Sequence, residues 1–280
     1  TEIYTLSLHD ALPIFSVLKN ANNLSTSSPE LALAIRDWPS EYHLSMVRHN
    51  LLRPFRIKKT DRILELGCGC GAMSRYLGET GASVIAVEGS SRRAQIAAER
   101  CRDLPNVKVI CDNIIDFISD EKFDYVTLIG VLEYAPVFIE AEDPVKTCLE
   151  RARGFLKDDG CLVLAIENQL GLKYFNGCAE DHTSIPYFGI NDRYGKFSPV
   201  TFARGDLSRK LTDSGYQCYH FYFPFPDYKL PRMIFSSEAF EHPFLNIEDT
   251  LCTIKSRDYS NNPYRAFHEN LVWPDRKSVV

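Results

Sequence analysis

The chain has 280 residues, 45% hydrophobic and 25% charged, with 15 glycines and 15 prolines. That apolar share excludes a disordered chain, and the longest apolar run, Tyr125 to Leu132, is far short of the roughly 20 residues a membrane-spanning helix needs. A formal charge of −5 gives no electrostatic footprint for a nucleic-acid backbone, and nine cysteines without a C-x-x-C pair signal neither a zinc knuckle nor a redox dithiol, so a reducing cytoplasm is the expected setting.

The first fourteen residues, TEIYTLSLHDALPI, resemble a translated sequencing adapter, and the last six, DRKSVV (275–280), resemble its reverse complement. Neither shows a helical or alternating pattern. Both are expected to be non-native, leaving a native stretch of about Phe15 to Pro274 that is a fragment without an initiator methionine. Residues 15–60 read as an N-terminal helical extension: 29–55 is helical with a break at Trp38-Pro39-Ser40, and Ser40 is the expected cap of the second part.

From Asp61 the period changes. Arg62 to Leu66 is a short buried strand stopped by Gly67-Cys68-Gly69-Cys70-Gly71, and a helix follows to about Leu77. Ser83 to Val87 is a second strand, and Ser90 caps a helix with Ala94, Ala97, Ala98 and Cys101 on one face. Val107 to Ile110 and Tyr125 to Ile129 are the third and fourth strands; Asp143-Pro144 opens a helix, and Cys161 to Ile166 is the fifth strand. Alternating strands and helices predict an α/β fold: a doubly wound, mostly parallel Rossmann-like sheet with helices on both faces. Residues 61–235 are the expected core domain. Within it, 169–199 is a long insertion after strand five, on the acceptor side; 201–214 is a helix, 216–223 and 230–235 are late strands, and 236–274 is a C-terminal extension whose structure the pattern does not reveal.

The chemistry concentrates where strand one meets helix one. Glycines there let a ligand lie against bare backbone. Taken alone, Gly67-x-Gly69-x-x-Ala72 also satisfies a dinucleotide fingerprint. Glu65 argues otherwise, because an anion two residues before the first glycine repels a pyrophosphate and attracts an ammonium. Glu88 ends strand two, placed to accept both ribose hydroxyls, and Asp112 ends strand three, placed to meet an adenine amino group.

These residues resemble the class I S-adenosylmethionine-dependent methyltransferases. Motif one of that family, (E/D)-x-G-x-G-x-G, matches Glu65, Gly67, Gly69 and Gly71, with Cys68 between the glycines; the ribose-binding acid matches Glu88 beside Gly89, and the adenine-side acid matches Asp112 beside Asn113. Gly130-Val131-Leu132-Glu133-Tyr134 is similar to the strand-four segment, and Leu156 to Leu164 to the later L-K-P-G-G-x-L-x-L signature, with Asp158-Asp159 replacing Pro-Gly. The resemblance implies S-adenosyl-L-methionine as cofactor, held by these residues and by the backbone of Gly130. A second resemblance, over roughly Ile166 to Phe235, is to methyltransferase modules of bacterial surface-polysaccharide proteins; it implies O-methylation of a saccharide or small-metabolite hydroxyl, and fusion to or association with a glycosyltransferase.

A hydroxyl acceptor benefits from a base, and two candidates lie after strand ends: Glu133, and His182 beside Asp181 in the insertion. Tyr174, Phe175, Tyr187, Phe188 and Tyr194 either line an acceptor pocket or form the insertion's own core. His43 with Tyr42 either closes over the cofactor or is structural. No metal site and no nucleic-acid partner are expected. The alternatives are a catalytically silent cofactor-binding module of a glycan-assembly protein and an NAD-linked oxidoreductase.

Overall fold

Strand β1 (Arg62–Leu66) is buried along its last four residues, the pattern of a strand covered on both faces. It lies at the centre of a five-stranded parallel sheet in a computed structural model that describes residues 8–175 and 177–247. The strand order is β3-β2-β1-β4-β5, with β2 at Ser83–Glu88, β3 at Val107–Cys111, β4 at Phe123–Ile129 and β5 at Leu156–Ala165. Order reverses between β1 and β4, so the loop after β1 opens at the switch point where such sheets bind ligands. Helices α1 (Leu8–Asn20), α2 (Pro29–Leu33) and α3 (Trp38–Leu44) precede the sheet, and α4 (Ala72–Glu79) and α5 (Ser91–Arg100) make the first crossovers. Helices α6 (Ala135–Phe138) and α7 (Pro144–Gly154) lie between β4 and β5 in the chain; α8 (Leu172–Phe175), α9 (Arg204–Asp213) and the antiparallel pair β6 (Tyr222–Phe225) and β7 (Met233–Ser236) follow.

The chain divides into two compact units: residues 1–131 with 151–165, and residues 132–150 with 166–280. In the first, α4 and α5 pack on β2 and β3. Ile14 and Leu18 of α1 join Leu24, Leu31, Leu44, Cys70 and Ile96 in one apolar cluster. Helix α1 thus begins inside the stretch whose sequence shows no helical pattern, and it contains Pro13. In the second unit, Phe223, Phe235 and Ile247 form a small core with Phe225, Met233 and Phe240 packed against it.

Four local expectations are corrected. Helix α3 is capped by Asp37: its side chain accepts the Ser40 N–H at 2.9 Å, while Ser40 Oγ accepts the Asp37 N–H at 3.0 Å, a reciprocal pair that puts Ser40 inside the first turn. Strand β5 begins at Leu156, five residues before Cys161, because Lys157 to Gly160 form a bulge between the pairs Phe123–Leu156 and Tyr125–Cys161. Finally, α9 starts at Arg204 because Phe202 is drawn into a parallel bridge with Asn168, and the strand expected from Tyr216 starts only at Tyr222. Most of 236–274, and all of 275–280, lie outside the described residues.

Candidate functional site

The bend after β1 is shaped by what surrounds each glycine. Gly67 (φ +78°) faces Val131, whose Cγ2 would lie 2.5 Å from an added Cβ. At Gly71 (φ +75°), the first residue before α4, an added Cβ would meet the Ala97 Cα at 2.8 Å, so α4 and α5 approach at bare backbone. Gly69 differs, since nothing lies within 4 Å of the place a Cβ would take. The bend therefore has an open side, and it is at Gly69.

Glu88 turns back onto this bend. Its Oε2 accepts the Gly69 N–H at 2.9 Å, and its Oε1 accepts the Ser90 N–H at 2.9 Å and an ion pair from Arg93 at 2.7 Å. The carboxylate is 3% exposed and sits at the start of α5, where a negative charge is favoured. Ser90 is the cap residue of α5 as expected, but its side chain makes no capping bond; its N–H serves Glu88 instead. Glu65, 4% exposed, accepts the Ser74 hydroxyl of α4 at 2.5 Å. Burial pushes its carboxyl up to about 7, against the pull of that hydrogen bond and of Arg48. Asp112 extends the β3 pairing by donating its N–H to Glu88 O at 3.1 Å, and its Oδ1 accepts the Asn113 N–H at 2.8 Å. Gly89 is exposed beside the Asp112 carbonyl, and Gly130 (φ +68°) donates to Ala165 O at 2.9 Å.

Cys68 does not offer its side chain to this side. The thiol packs into a small cluster with Ala86 and Ala97. Burial raises its pKa well above the usual thiol range. Its N–H goes to Val87 O at 3.0 Å, as that of Gly67 does at 2.8 Å. Three amides of the bend, those of Gly67, Cys68 and Gly69, are thus already bonded, the last to a carboxylate. A pyrophosphate needs such amides and would meet two buried acids. A nucleoside with hydroxyls to donate and an ammonium to place suits the same surface. His43 is buried, its pKa lowered to about 3 by burial and by the charges of Arg100, Arg48 and Arg93, and its carbonyl accepts from Arg100 at 2.5 Å.

In the second unit, the two predicted bases meet. Glu133 is 1% exposed, and ligand atoms of Glu133, Glu167 and His182 lie within 4.8 Å of one another. His182 Nδ1 lies 2.7 Å from Glu180 Oε1, while Glu180 Oε2 accepts the backbone N–H groups of His182 and Thr183 at 2.9 and 2.8 Å. The other ring nitrogen, Nε2, is 3.9 Å from Glu167 Oε2, and the Tyr134 ring packs edge-on against the imidazole. Burial disfavours the charged ring, but the Glu180 hydrogen bond and the carboxylates of Glu167 and Glu133 outweigh it and raise His182 to about 9. Glu133 is pushed up to about 8 by burial and the neighbouring Glu167 charge. Asp181 faces elsewhere: it pairs with Lys173 at 2.5 Å and Lys229 at 3.0 Å and accepts the Tyr174 hydroxyl, so it does not partner His182. Of the aromatics, Tyr174 is buried, Phe175 and Tyr187 are exposed, and Phe188 packs edge-on against Tyr194, whose hydroxyl meets Thr201 Oγ1 at 2.5 Å.

Residues 64–162 match the family model described as a methyltransferase domain. This stretch is a methyltransferase domain. Its cofactor is S-adenosylmethionine. The domain is similar to the ribosomal RNA small subunit methyltransferase A of Streptococcus mutans, 39% identical over 59 residues covering 21% of this chain and 20% of that protein. It is also similar to the ubiquinone biosynthesis O-methyltransferase of Actinobacillus pleuropneumoniae, 25% identical over 115 residues covering 39% and 46%. A solved methyltransferase from Methanosarcina mazei superposes with TM-score 0.47 at 18% identity, covering 64% of this chain and 90% of that one. The chain spans between a fifth and a half of the length of these curated relatives. The bend fits the methyltransferase cofactor on its own geometry: an open side at Gly69 beside a buried carboxylate. Sequence reasoning passed over Arg93 and Ser74, which position the two acids, and over Glu167 and Glu180. Only the spacing Glu180-x-His182 offered a signal for the last.

Proposed function

We propose that the protein transfers a methyl group from S-adenosylmethionine to a hydroxyl of a saccharide or small metabolite. One observation carries the cofactor side of this reading: the bonding of Glu88 to the Gly69 amide at the open point of the bend, which suits a nucleoside and disfavours the diphosphate of an NAD-linked enzyme. Glu88 would hold the ribose hydroxyls, Gly67 to Gly71 the chain between, Glu65 the amino-acid end, and Asp112 with Asn113 the base. Gly89 and Gly130 leave room for backbone contact. When bound, the cofactor supplies an activated methyl on a sulfonium. What remains for the chain is to align the acceptor and keep water out.

Support for an oxygen acceptor comes from the buried acid–histidine cluster. A hydroxyl is a weak nucleophile while protonated, and a carboxylate-oriented imidazole takes such a proton once it has released its own; with His182 raised to about 9 and Glu133 to about 8, that role is filled as pH rises through this range. Glu133 and His182 hold that role in our reading, with Glu180 positioning the ring. In the chain, Glu133 and Glu167 follow the carboxyl ends of β4 and β5 within four residues. One of the relatives is itself an O-methyltransferase by name. A sugar ring suits the insertion's aromatic faces, and association with a glycosyltransferase in the cytoplasm belongs to the same reading.

Calorimetry with S-adenosylhomocysteine and with NADH tests the first half: binding of the former alone is expected, and preference for NADH would overturn it. Transfer of labelled methyl into glycan or glycolipid extracts tests the second. His182→Ala and Glu133→Ala are expected to lower turnover while sparing cofactor affinity. Binding without turnover on any extract would instead make the protein a silent cofactor-binding module.

A further inference from the structure

We infer that Glu133, Glu167 and His182 form a binding site for a divalent cation of the Mn2+ or Zn2+ kind. Glu133 Oε2 and Glu167 Oε2 are buried and have no hydrogen-bond partner among the described residues, although their side chains are 1% and 6% exposed. Carboxylate oxygens taken so far from water normally receive donors, and two such oxygens on residues whose ligand atoms lie within 4.8 Å of one another and of His182 point to a cation that binds there. Glu167 Oε1 already takes Lys229 Nζ and the Tyr228 hydroxyl, the latter at 3.3 Å, so Oε2 is the oxygen left for an ion.

His182 is held in the manner of a metal ligand. Its Nδ1 sits 2.7 Å from the Glu180 carboxylate, which in turn is fixed by two backbone amides, and this orients Nε2 toward Glu167 Oε2. Carboxylate–histidine pairs of this form fix the ring and raise its basicity at metal centres. The 3.9 Å between Nε2 and Glu167 Oε2 lies within the ~4 Å that two ligands about 2.1 Å from one ion can span. Two oxygens and one imidazole are a borderline donor set, better matched to Mn2+ or Zn2+ than to Ca2+. The rival occupant is a proton shared between Glu133 and His182, which would answer the same orphaned oxygens without a metal.

This inference deepens the proposed methyl transfer. An acceptor hydroxyl bound to the ion would release its proton to solvent water more readily as its oxygen takes the methyl, with Glu133 and His182 serving as ligands and not as bases in that state. The binding itself does not depend on that reading.

The test uses the full chain, stripped with a chelator and titrated with Mn2+, following the loss of the free-ion signal by electron paramagnetic resonance. One ion per chain is expected, weakened at least tenfold in each of Glu133→Gln, Glu167→Gln and His182→Ala. Spin-echo spectra of the wild-type complex should carry the nitrogen modulation of a bound imidazole, which needs no variant to fold. Absence of stoichiometric binding by Mn2+ and Zn2+ alike, binding that survives all three substitutions, or a complex without imidazole nitrogen would each overturn the site and favour the shared proton. Calorimetry with S-adenosylhomocysteine on the same protein separates the readings: binding retained while Mn2+ fails removes only the cation site.

Discussion

Glu88 closes the bend through the Gly69 amide, and in the proposed reading the same carboxylate accepts the ribose hydroxyls. Glu88→Ala is therefore expected to weaken S-adenosylhomocysteine by on the order of 1–3 kcal/mol, the worth of a hydrogen bond to a charged group; calorimetry reads this directly, and unchanged affinity would remove Glu88 from the site. Glu65 makes a pH prediction. Its folded pKa, about 7, lies above the ordinary carboxyl value of 4.5, so between those values the folded chain holds a proton that the unfolded chain has released. Stability contributed by this group is thus present below about pH 4.5 and is lost as pH rises toward 7. In Glu65→Gln that loss is gone, so urea midpoints should move in the variant's favour between pH 5 and pH 8. A constant offset across that range would show that Glu65 is ionised in the fold.

At the scale of elements, the crossing of α4 and α5 is the tight point of the methyltransferase domain. Gly71→Ala must displace the Ala97 backbone as well as hold a positive φ, while Gly69→Ala meets only the conformational cost. The first should lose roughly 2–4 kcal/mol and the second about 1–2 kcal/mol in chemical denaturation. Equal losses would mean the helices can part. Strands β1 and β2 were legible almost to the residue because each is a short apolar run bounded by glycine or a polar turn. Strand β5 was not, because a bulge built on Asp158-Asp159-Gly160 has no period to read. The acids proposed for the cofactor, Glu65, Glu88 and Asp112, lie at or next to strand ends, where spacing alone picks them out. Glu133, Glu167, Glu180 and His182 are another matter: Glu167 and Glu180 carry no periodic mark, and only the fold of the second unit brings all four together.

For the whole molecule, the net charge of −5 sets an expectation about partners, which the likeness to a ribosomal RNA methyltransferase makes worth measuring. Neither single-stranded nor duplex RNA should bind in about 0.15 M salt, and affinity that climbs steeply as salt is lowered would bring the nucleic-acid reading back. The route of the chain between the two units carries a last consequence. It leaves the first unit after residue 131, returns at 151 and leaves again after 165. Neither unit is one uninterrupted stretch: a cut after residue 131 would leave the bend on one side and the acid–histidine cluster on the other, but it would also take β5 from beside β4. A contiguous cassette from 132 to 182 that carried the acid–histidine cluster would bring β5 with it, so such an exchange replaces an edge strand of the first unit's sheet as well.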